Sequence, residues 1–264
     1  MKGIAVENLT VKLGGVIAVK NLSFSVVPGE IFGIIGPNGA GKTTTFNLLS
    51  RLYTPTSGTI RFGPDDITGK AAHRVASLGL ARTFQNIELF EKATVLQNLL
   101  VGRHSATSGN FWSDLLFTPM VRQREREDRL AAEKVIDFLQ LEGYRNQMVD
   151  HLPYGARKLV ELGRALCMQP QLLLLDEPCS GLNPEERRDM VFWIRDIRDL
   201  LGITVVLIEH DMGVVSKVCD RVLALNYGEL LALGKPADVQ ANPKVAEAYL
   251  GPDAAAKPLM EAEA

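Results

Sequence analysis

Residues Gly36-Pro37-Asn38-Gly39-Ala40-Gly41-Lys42-Thr43-Thr44 fit the spacing G-x-x-x-x-G-K-[ST]. Each residue type in that spacing has a chemical task. Glycines let the backbone curl until successive N–H groups point inward at phosphate oxygens. A helix starting near Lys42 adds its positive end to the same anion. The Lys42 ammonium then reaches the outer phosphates, and the Thr43 hydroxyl binds Mg²⁺. A second reactive group lies far along the chain, where Leu172-Leu173-Leu174-Leu175 ends in Asp176-Glu177-Pro178. A strand buried on both faces would deliver Asp176 rigidly to a sheet edge, where open α/β sheets bind their ligands. Asp176 can hold Mg²⁺ directly or through water, and Glu177 can orient or deprotonate an attacking water. A strand that merely stops at charged residues is the plainer alternative, and the cradle upstream weighs against it. The expectation is a nucleotide-binding protein.

The elements needed to position these groups are legible nearby. Ile4 to Val11 alternates in part, Leu22 to Val27 is apolar and β-branched, and Pro28-Gly29 makes a turn. Ile31 to Ile35 reads as a short, fully buried strand, and Thr43 to Leu52 as a helix ending before Pro55. From about Val95 to Leu166 the signals are mostly helical, with apolar spacing at Val135, Ile136, Leu139 and Leu141. Leu172 to Leu175 and Ile203 to Ile208 are buried strands around a helix from Pro184 to Leu200, and Asp220 to Gly234 reads as a hairpin about Gly228. Alternation of this kind implies an α/β fold, a largely parallel sheet with helices on both faces, interrupted by a helical insertion.

Composition narrows the classes. The 264 residues suit one large domain or two small ones, and 46% hydrophobic with 23% charged residues argues against a wholly disordered chain. A formal net charge of −2 argues against a nucleic-acid partner, since no excess of cations is present to neutralise phosphates. Cys167, Cys179 and Cys219 form no C-x-x-C pair, which points to a reducing compartment without disulfides or a zinc site. No run approaches the roughly 20 apolar residues of a membrane span, and the start of the chain lacks a secretory leader pattern. The expectation is a soluble chain whose membrane role, if any, is held from outside the lipid.

The two reactive segments together resemble an ATP-binding-cassette (ABC) ATPase, and four further features match that family in order. Thr83-Phe84-Gln85 resembles its Q-loop, whose glutamine touches Mg²⁺ or water. Pro153-Tyr154-Gly155-Ala156 after Leu152 resembles its signature, which faces the ATP of a second subunit. Ser180-Gly181-Leu182-Asn183 stands at the D-loop, and His210 in Glu209-His210-Asp211 stands at the switch histidine that contacts the γ-phosphate. The resemblance implies a P-loop ATPase core with a parallel sheet, an N-terminal antiparallel β subdomain and an inserted α-helical subdomain. It assigns 4–250 to one ABC ATPase domain, about 4–85 and 167–250 to its core and about 86–166 to the helical subdomain; the stretch 251–264, rich in Ala, Pro and Glu, is expected on composition to be a disordered tail. It implies ATP and Mg²⁺ as ligands, ATP on Gly36 to Thr44, catalysis by Glu177, His210 and Gln85, and the metal on Thr43, Gln85 and Asp176. Leu13 takes the place of an aromatic that often stacks on adenine.

Several positions depart from the family pattern. The signature usually has Ser at Pro153, Gly at Tyr154 and Gln at Ala156, and the D-loop has Asp at Asn183. Gly155 and the following helix remain, so backbone donors at a helix start can still face a phosphate. The resemblance implies a second ATPase subunit, identical or a paralogue, with the altered signature pointing to unequal sites. It also implies two transmembrane permease subunits, a periplasmic substrate-binding protein reached through them, and a peripheral position on the cytoplasmic face of the inner membrane. Ala81 to Phe90, Ile208 to Met212, Tyr154-Gly155 and Asn242 to Gly251 resemble the branched-chain amino acid importer branch, which includes urea and short-amide importers. Alternatives are another such importer, a lipid or lipopolysaccharide exporter, or a soluble ABC ATPase acting on macromolecules. The last needs coiled coils, an iron–sulfur segment or a second cassette, and a GTPase needs a guanine-reading Asn-Lys-x-Asp; the sequence shows none of these. Ser105 to Glu127 carries Phe111, Trp112, Leu115, Leu116 and Phe117, either a helix buried in the insertion or an apolar knob for a membrane subunit. The mixed charges from Arg122 to Arg129 read as a solvated helix face.

Overall fold

Segments that are apolar at every position can be satisfied only by strands covered on both sides. The computed structural model describes residues 1–106 and 119–250 and places such segments at its centre. In chain order, β1 (Ile4–Leu13), β2 (Val16–Val26) and β3 (Ile31–Ile35) lead through the glycine-rich loop to α1 (Lys42–Leu49). Then come β4 (Ser57–Phe62), β5 (Asp65–Asp66), α2 (Ala72–Ser77) and β6 (Leu80–Arg82). A helical portion follows, with α3 (Val95–Ala106), α4 (Pro119–Phe138) and α5 (Tyr154–Cys167). The chain returns through β7 (Leu172–Asp176), α6 (Pro184–Asp199), β8 (Thr204–Ile208) and α7 (Met212–Val218). It ends in the hairpin β9 (Arg221–Asn226) and β10 (Glu229–Gly234), then α8 (Pro236–Gln240) and α9 (Pro243–Leu250).

One six-stranded sheet has the order β10-β9-β3-β8-β7-β6 and a second, four-stranded and antiparallel, the order β2-β1-β4-β5. From β9 to β6 the larger sheet is parallel throughout, and only the β9–β10 hairpin runs antiparallel. The period-2 geometry of a strand divides its apolar residues between two cores. Phe32, Ile34, Leu172, Leu174, Val206 and Ile208 face the antiparallel sheet and α1, against Val6, Leu22, Phe24 and Phe46. Ile31, Ile35, Leu173, Leu175, Val205 and Leu207 face the helices, against Leu99, Ile136, Val160, Ile194 and Val215. The expected helices on both faces are therefore only partly found. α1 covers part of one face, and the antiparallel sheet covers most of the rest of it.

Boundaries shift for local reasons. α1 stops at Leu49 because Arg51 takes a φ of 61° and its guanidinium donates to the carbonyls of Tyr53 and Lys70. α6 begins where Asn183 accepts N–H bonds from Glu185 and Glu186 at 2.9 Å while Glu186 answers the Asn183 N–H, a reciprocal cap. Asparagine thus keeps the capping role there without the charge of the usual aspartate. Arg122, Glu125, Arg126, Glu127 and Arg129 are exposed on α4, in line with a solvated face. Phe111, Trp112, Leu115, Leu116 and Phe117, and the tail from Gly251, lie outside the described residues.

Helices α3 and α5 meet at Gly102, where a Cβ would stand 2.2 Å from the Arg164 carbonyl oxygen. Alanine is the better helix former by about 1 kcal/mol, yet overpacking a tight contact costs about 1–3 kcal/mol. Gly102→Ala is expected to lower the urea midpoint. An unchanged or raised midpoint would show that the two helices have room to part.

Candidate active site

Four adjacent parallel strands, β3, β8, β7 and β6, present their C-terminal ends side by side. Ile34 pairs with Ile208, Ile208 with Asp176, and Leu174 with Arg82. The segments leaving these ends therefore converge: the loop of Gly36 to Lys42, then Glu209-His210, Glu177, and Thr83 to Gln85. This is the sheet edge at which ligands of open α/β folds bind.

The loop is held by its glycines. Gly41 has a φ of 100° and a Cβ there would lie 2.7 Å from the Ala18 carbonyl oxygen; at Gly36 the clash would be with the Leu225 carbonyl oxygen at 2.3 Å. Lys42 is 8% exposed and its Nζ donates to the carbonyls of Gly36 (2.6 Å) and Pro37 (3.0 Å), so the ammonium spans the loop. Burial pushes the Lys42 pKa down, and the carboxylates of Glu177 and Asp176 oppose that by favouring the charged form. A cleft of about 420 Å³ is lined by Asn38 to Thr44, by Gln85 and Glu177, and by Val16, Ile17 and Tyr227. Most of the sequence-predicted cradle and two of the proposed catalytic residues thus share one cleft.

Asp176 ends β7 and is 1% exposed. Its Oδ2 accepts from Arg82 Nη2 at 2.8 Å, and its backbone N–H donates to Thr83 Oγ1 at 3.3 Å. Its Oδ1 is buried without a hydrogen-bond partner. Burial pushes the Asp176 carboxyl up, and Arg82 pulls it down. A buried oxygen left unpaired, on a carboxylate close enough to act on Lys42 of the phosphate loop, suits a hard cation that takes oxygen ligands, so Asp176 fits Mg²⁺. Glu177 follows with a φ of 49°, its N–H donating to the Ile208 carbonyl at 3.0 Å. The Gln85 Nε2 donates to Glu177 Oε2 at 3.2 Å.

The remaining predicted residues stand elsewhere. Leu13 lies at the end of β1 and does not line this cleft, nor does His210, whose imidazole is 61% exposed. The His210 Nδ1 is 4.0 Å from Oε2 of Glu209, a buried carboxylate pushed up by desolvation whose Oε1 accepts the Cys179 N–H at 2.9 Å. Pro153 caps α5, Tyr154 is exposed with its hydroxyl donating to the Ser180 carbonyl at 3.4 Å, and Gly155 and Ala156 are buried. At Gly155 a Cβ would stand 2.4 Å from Glu186 Oε1. Sequence reasoning missed Arg82, which also donates to Asn47 Oδ1 (2.6 Å) and Ser50 Oγ (3.1 Å) and lies over the rings of Phe46 and Phe84. The available signal was a cation at the end of an apolar strand, three residues before Gln85. Tyr227 was missed as well, since a hairpin tip carries no motif.

Fold and site define a nucleotide-binding cassette, and comparison with known proteins gives its family. The family described as ABC transporter matches residues 19–180, and one described as branched-chain amino acid ATP-binding cassette transporter matches residues 229–254. The chain is 40% identical to the high-affinity branched-chain amino acid transport ATP-binding protein BraF of Pseudomonas aeruginosa, over 94% of this chain and 97% of that protein. It is 39% identical to the corresponding LivG of Escherichia coli K12, with the same coverage. Among solved structures, a nucleotide-free ATP-binding cassette from an ABC transporter superposes with a TM-score of 0.83 at 31% identity, covering 95% of this chain and all of that one. An ADP conformation of such a cassette also reaches 0.83 at 31% identity, covering 95% and 99%. The chain belongs to the ABC transporter family, as one of its ATP-binding, ATP-hydrolysing cassettes.

Breaking a buried ion pair by removing one partner costs about 3–5 kcal/mol, because the other charge is left uncompensated. Arg82 and Asp176 are 7% and 1% exposed, so Arg82→Ala is expected to lose stability on that scale in urea denaturation. A loss below about 1 kcal/mol, the size of a surface pair, would contradict the buried-pair reading.

Proposed function

We propose that this chain is the ATP-hydrolysing subunit of an importer for branched-chain or related amino acids. The observation that carries the reading is the shared cleft, where a phosphate loop, Gln85 and Glu177 meet beside a buried Asp176 with one free oxygen. The substrate class rests on the relatives' full-length similarity and on the match at residues 229–254.

Backbone donors of the loop and the Lys42 ammonium bind the β- and γ-phosphates of ATP, with Gly36 and Pro37 shaping the turn. Thr43 and Asp176 would hold Mg²⁺, with Gln85 at its edge; when bound, Mg²⁺ neutralises charge on the phosphates. Glu177 accepts the proton of the attacking water, and the Gln85 amide holds the Glu177 carboxylate in place. Val16, Ile17 and Tyr227 supply apolar surface for the base, and Leu13 stands beyond it. His210 sits one strand over, and in this reading its imidazole contacts the γ-phosphate. The start of α5, Pro153 to Ala156, serves the ATP of a second cassette, identical or paralogous. Two permease subunits and, through them, a periplasmic substrate-binding protein complete the assembly. No helix among the described residues is long and apolar enough to cross a membrane. In this reading the chain docks on the permease as a peripheral subunit at the cytoplasmic face of the inner membrane, a reading supported by its similarity to transport ATP-binding proteins.

Glu177→Gln is expected to lower the hydrolysis rate by about a thousandfold or more while ATP stays bound, since the phosphate contacts survive and proton acceptance does not. Near-normal turnover in that variant would remove Glu177 from its role. Lys42→Ala is expected to weaken binding of a fluorescent ATP analogue by at least about tenfold, and unchanged affinity would contradict the cradle. For the transported class, deletion of the gene should abolish uptake of labelled leucine, isoleucine or valine, and restoring the gene should return it. Unaltered uptake of all three would overturn the substrate assignment.

A further inference from the structure

Helix α5 carries the signature at its start, and further along it three long polar side chains turn toward the segment of Gln85. Lys158 and Glu161 are three residues apart and so neighbours on one helix face. Both are buried, at 4% and 3% exposure. Charged side chains are almost never buried this far without partners, and here the partners are main-chain groups of a single short segment. The Phe84 N–H donates to Glu161 Oε1 at 3.1 Å, and Lys158 Nζ donates to the Gln85 carbonyl at 3.3 Å. One turn further on, Arg164 Nη1 donates to the Glu88 carbonyl. The helix therefore grips the backbone on both sides of the Gln85 side chain and again three residues later. Beyond that grip, Gln85 Nε2 meets Glu177 Oε2 at 3.2 Å.

The grip is selective in what it leaves free. Gln85 is itself exposed, so little burial constrains the direction of its side chain. Only the position of its backbone determines where the amide can reach. Arg82 holds the other flank of the segment, paired with Asp176 and lying over the Phe84 ring. The Lys158 ammonium and Arg164 guanidinium both favour the ionised form of the Glu161 carboxylate against its burial.

We propose that Glu161 and Lys158 are positioning residues for hydrolysis, which fix the backbone at Phe84 and Gln85 and so set the reach of the Gln85 amide to Glu177. The proposal rests on the reading of Gln85 and Glu177 as residues of the ATP site. Glu161 and Lys158 line no part of the cleft, and their hydrogen bonds go to the main chain of Phe84 and Gln85. Their effect should therefore fall on turnover and leave nucleotide affinity nearly unchanged. It also gives this chain a physical link between the start of α5 and the Gln85–Glu177 contact.

The test uses the full-length chain with MgATP. In the wild type, the Phe84 amide is expected to exchange with deuterium at least about tenfold more slowly than those of Asn86 and Ile87, reflecting a buried bond to a carboxylate. Glu161→Ala should erase that protection and lower kcat by about ten- to a hundred-fold, while KM for ATP and affinity for a fluorescent ATP analogue change less than about threefold. Glu161→Gln keeps an acceptor for the Phe84 N–H and should restore kcat to within about threefold of wild type; it also serves should the alanine variant fold poorly. Lys158→Met should lower kcat alone, by a smaller factor. The proposal is overturned if the Phe84 amide exchanges as fast as its neighbours, if Glu161→Ala turns over ATP at the wild-type rate, or if kcat and ATP affinity fall together. Gln85→Ala separates the two readings. A slow Gln85→Ala beside a normal Glu161→Ala sinks the positioning role alone. A normal Gln85→Ala sinks the underlying site reading, and the positioning role with it.

Discussion

Burial of β3, β8 and β7 on both faces is the constraint on which everything else rests. Each strand is five residues long and carries no exposed position, so its only unburied outlet is its end. Running parallel and adjacent, they open at the same edge. The residues just beyond each strand are forced together although they lie at positions 36, 177 and 209 of the chain. A one-residue slip in any pairing would turn an apolar side chain from one core into the other. Because both faces are packed, such a slip is resisted twice, and the alignment of the site inherits the rigidity of the sheet.

Charge is then brought into this apolar frame with few partners to spare. Lys42 is shared between two carbonyls of its own loop, Asp176 leans on Arg82, Glu209 on a backbone N–H, and Glu161 on another. Such buried networks are held strongly when satisfied and are costly when one member is removed. The oxygens left over at Asp176 and Glu209 both lie at the edge where β7 and β8 end. The unpaired acceptor of Asp176 suits a site whose remaining partner arrives with a ligand. The helical portion is tied to the same edge through α5, whose side chains hold the segment after β6.

Much of this was legible in the sequence because it depends on local patterns. Consecutive apolar residues identify Ile31–Ile35, Leu172–Leu175 and the strand ending at Ile208 as buried strands, and glycine spacing identifies the loop after the first. The order of strands in the sheet is not a local property, and neither are contacts made by side chains reaching across it. Arg82 could be read as an ordinary strand-end cation until Asp176 was placed beside it. Nothing local in the sequence marks Lys158 and Glu161, which are buried where they bond the main chain of Phe84 and Gln85. Alternation at Ile4–Val11 and β-branched residues at Leu22–Val27 mark strands, but their arrangement as an antiparallel sheet over one face follows only from the family resemblance, because the alternation of strands and helices implies helices on both faces. His210 was expected to share the site; it stands at the same edge with its imidazole turned to solvent.

The central claim is that the ends of β3, β7 and β6 converge on one triphosphate. A crystal structure of the full-length chain with Mg²⁺ and a non-hydrolysable ATP analogue tests it directly. The account predicts phosphate oxygens cradled by the backbone of Gly39 to Thr44 and by Lys42. It also predicts a cation about 2.0–2.1 Å from the Thr43 hydroxyl, with Asp176 Oδ1 and Gln85 turned toward it or its waters. A nucleotide seated away from the loop, or a cation that engages neither Thr43 nor Asp176, would contradict it.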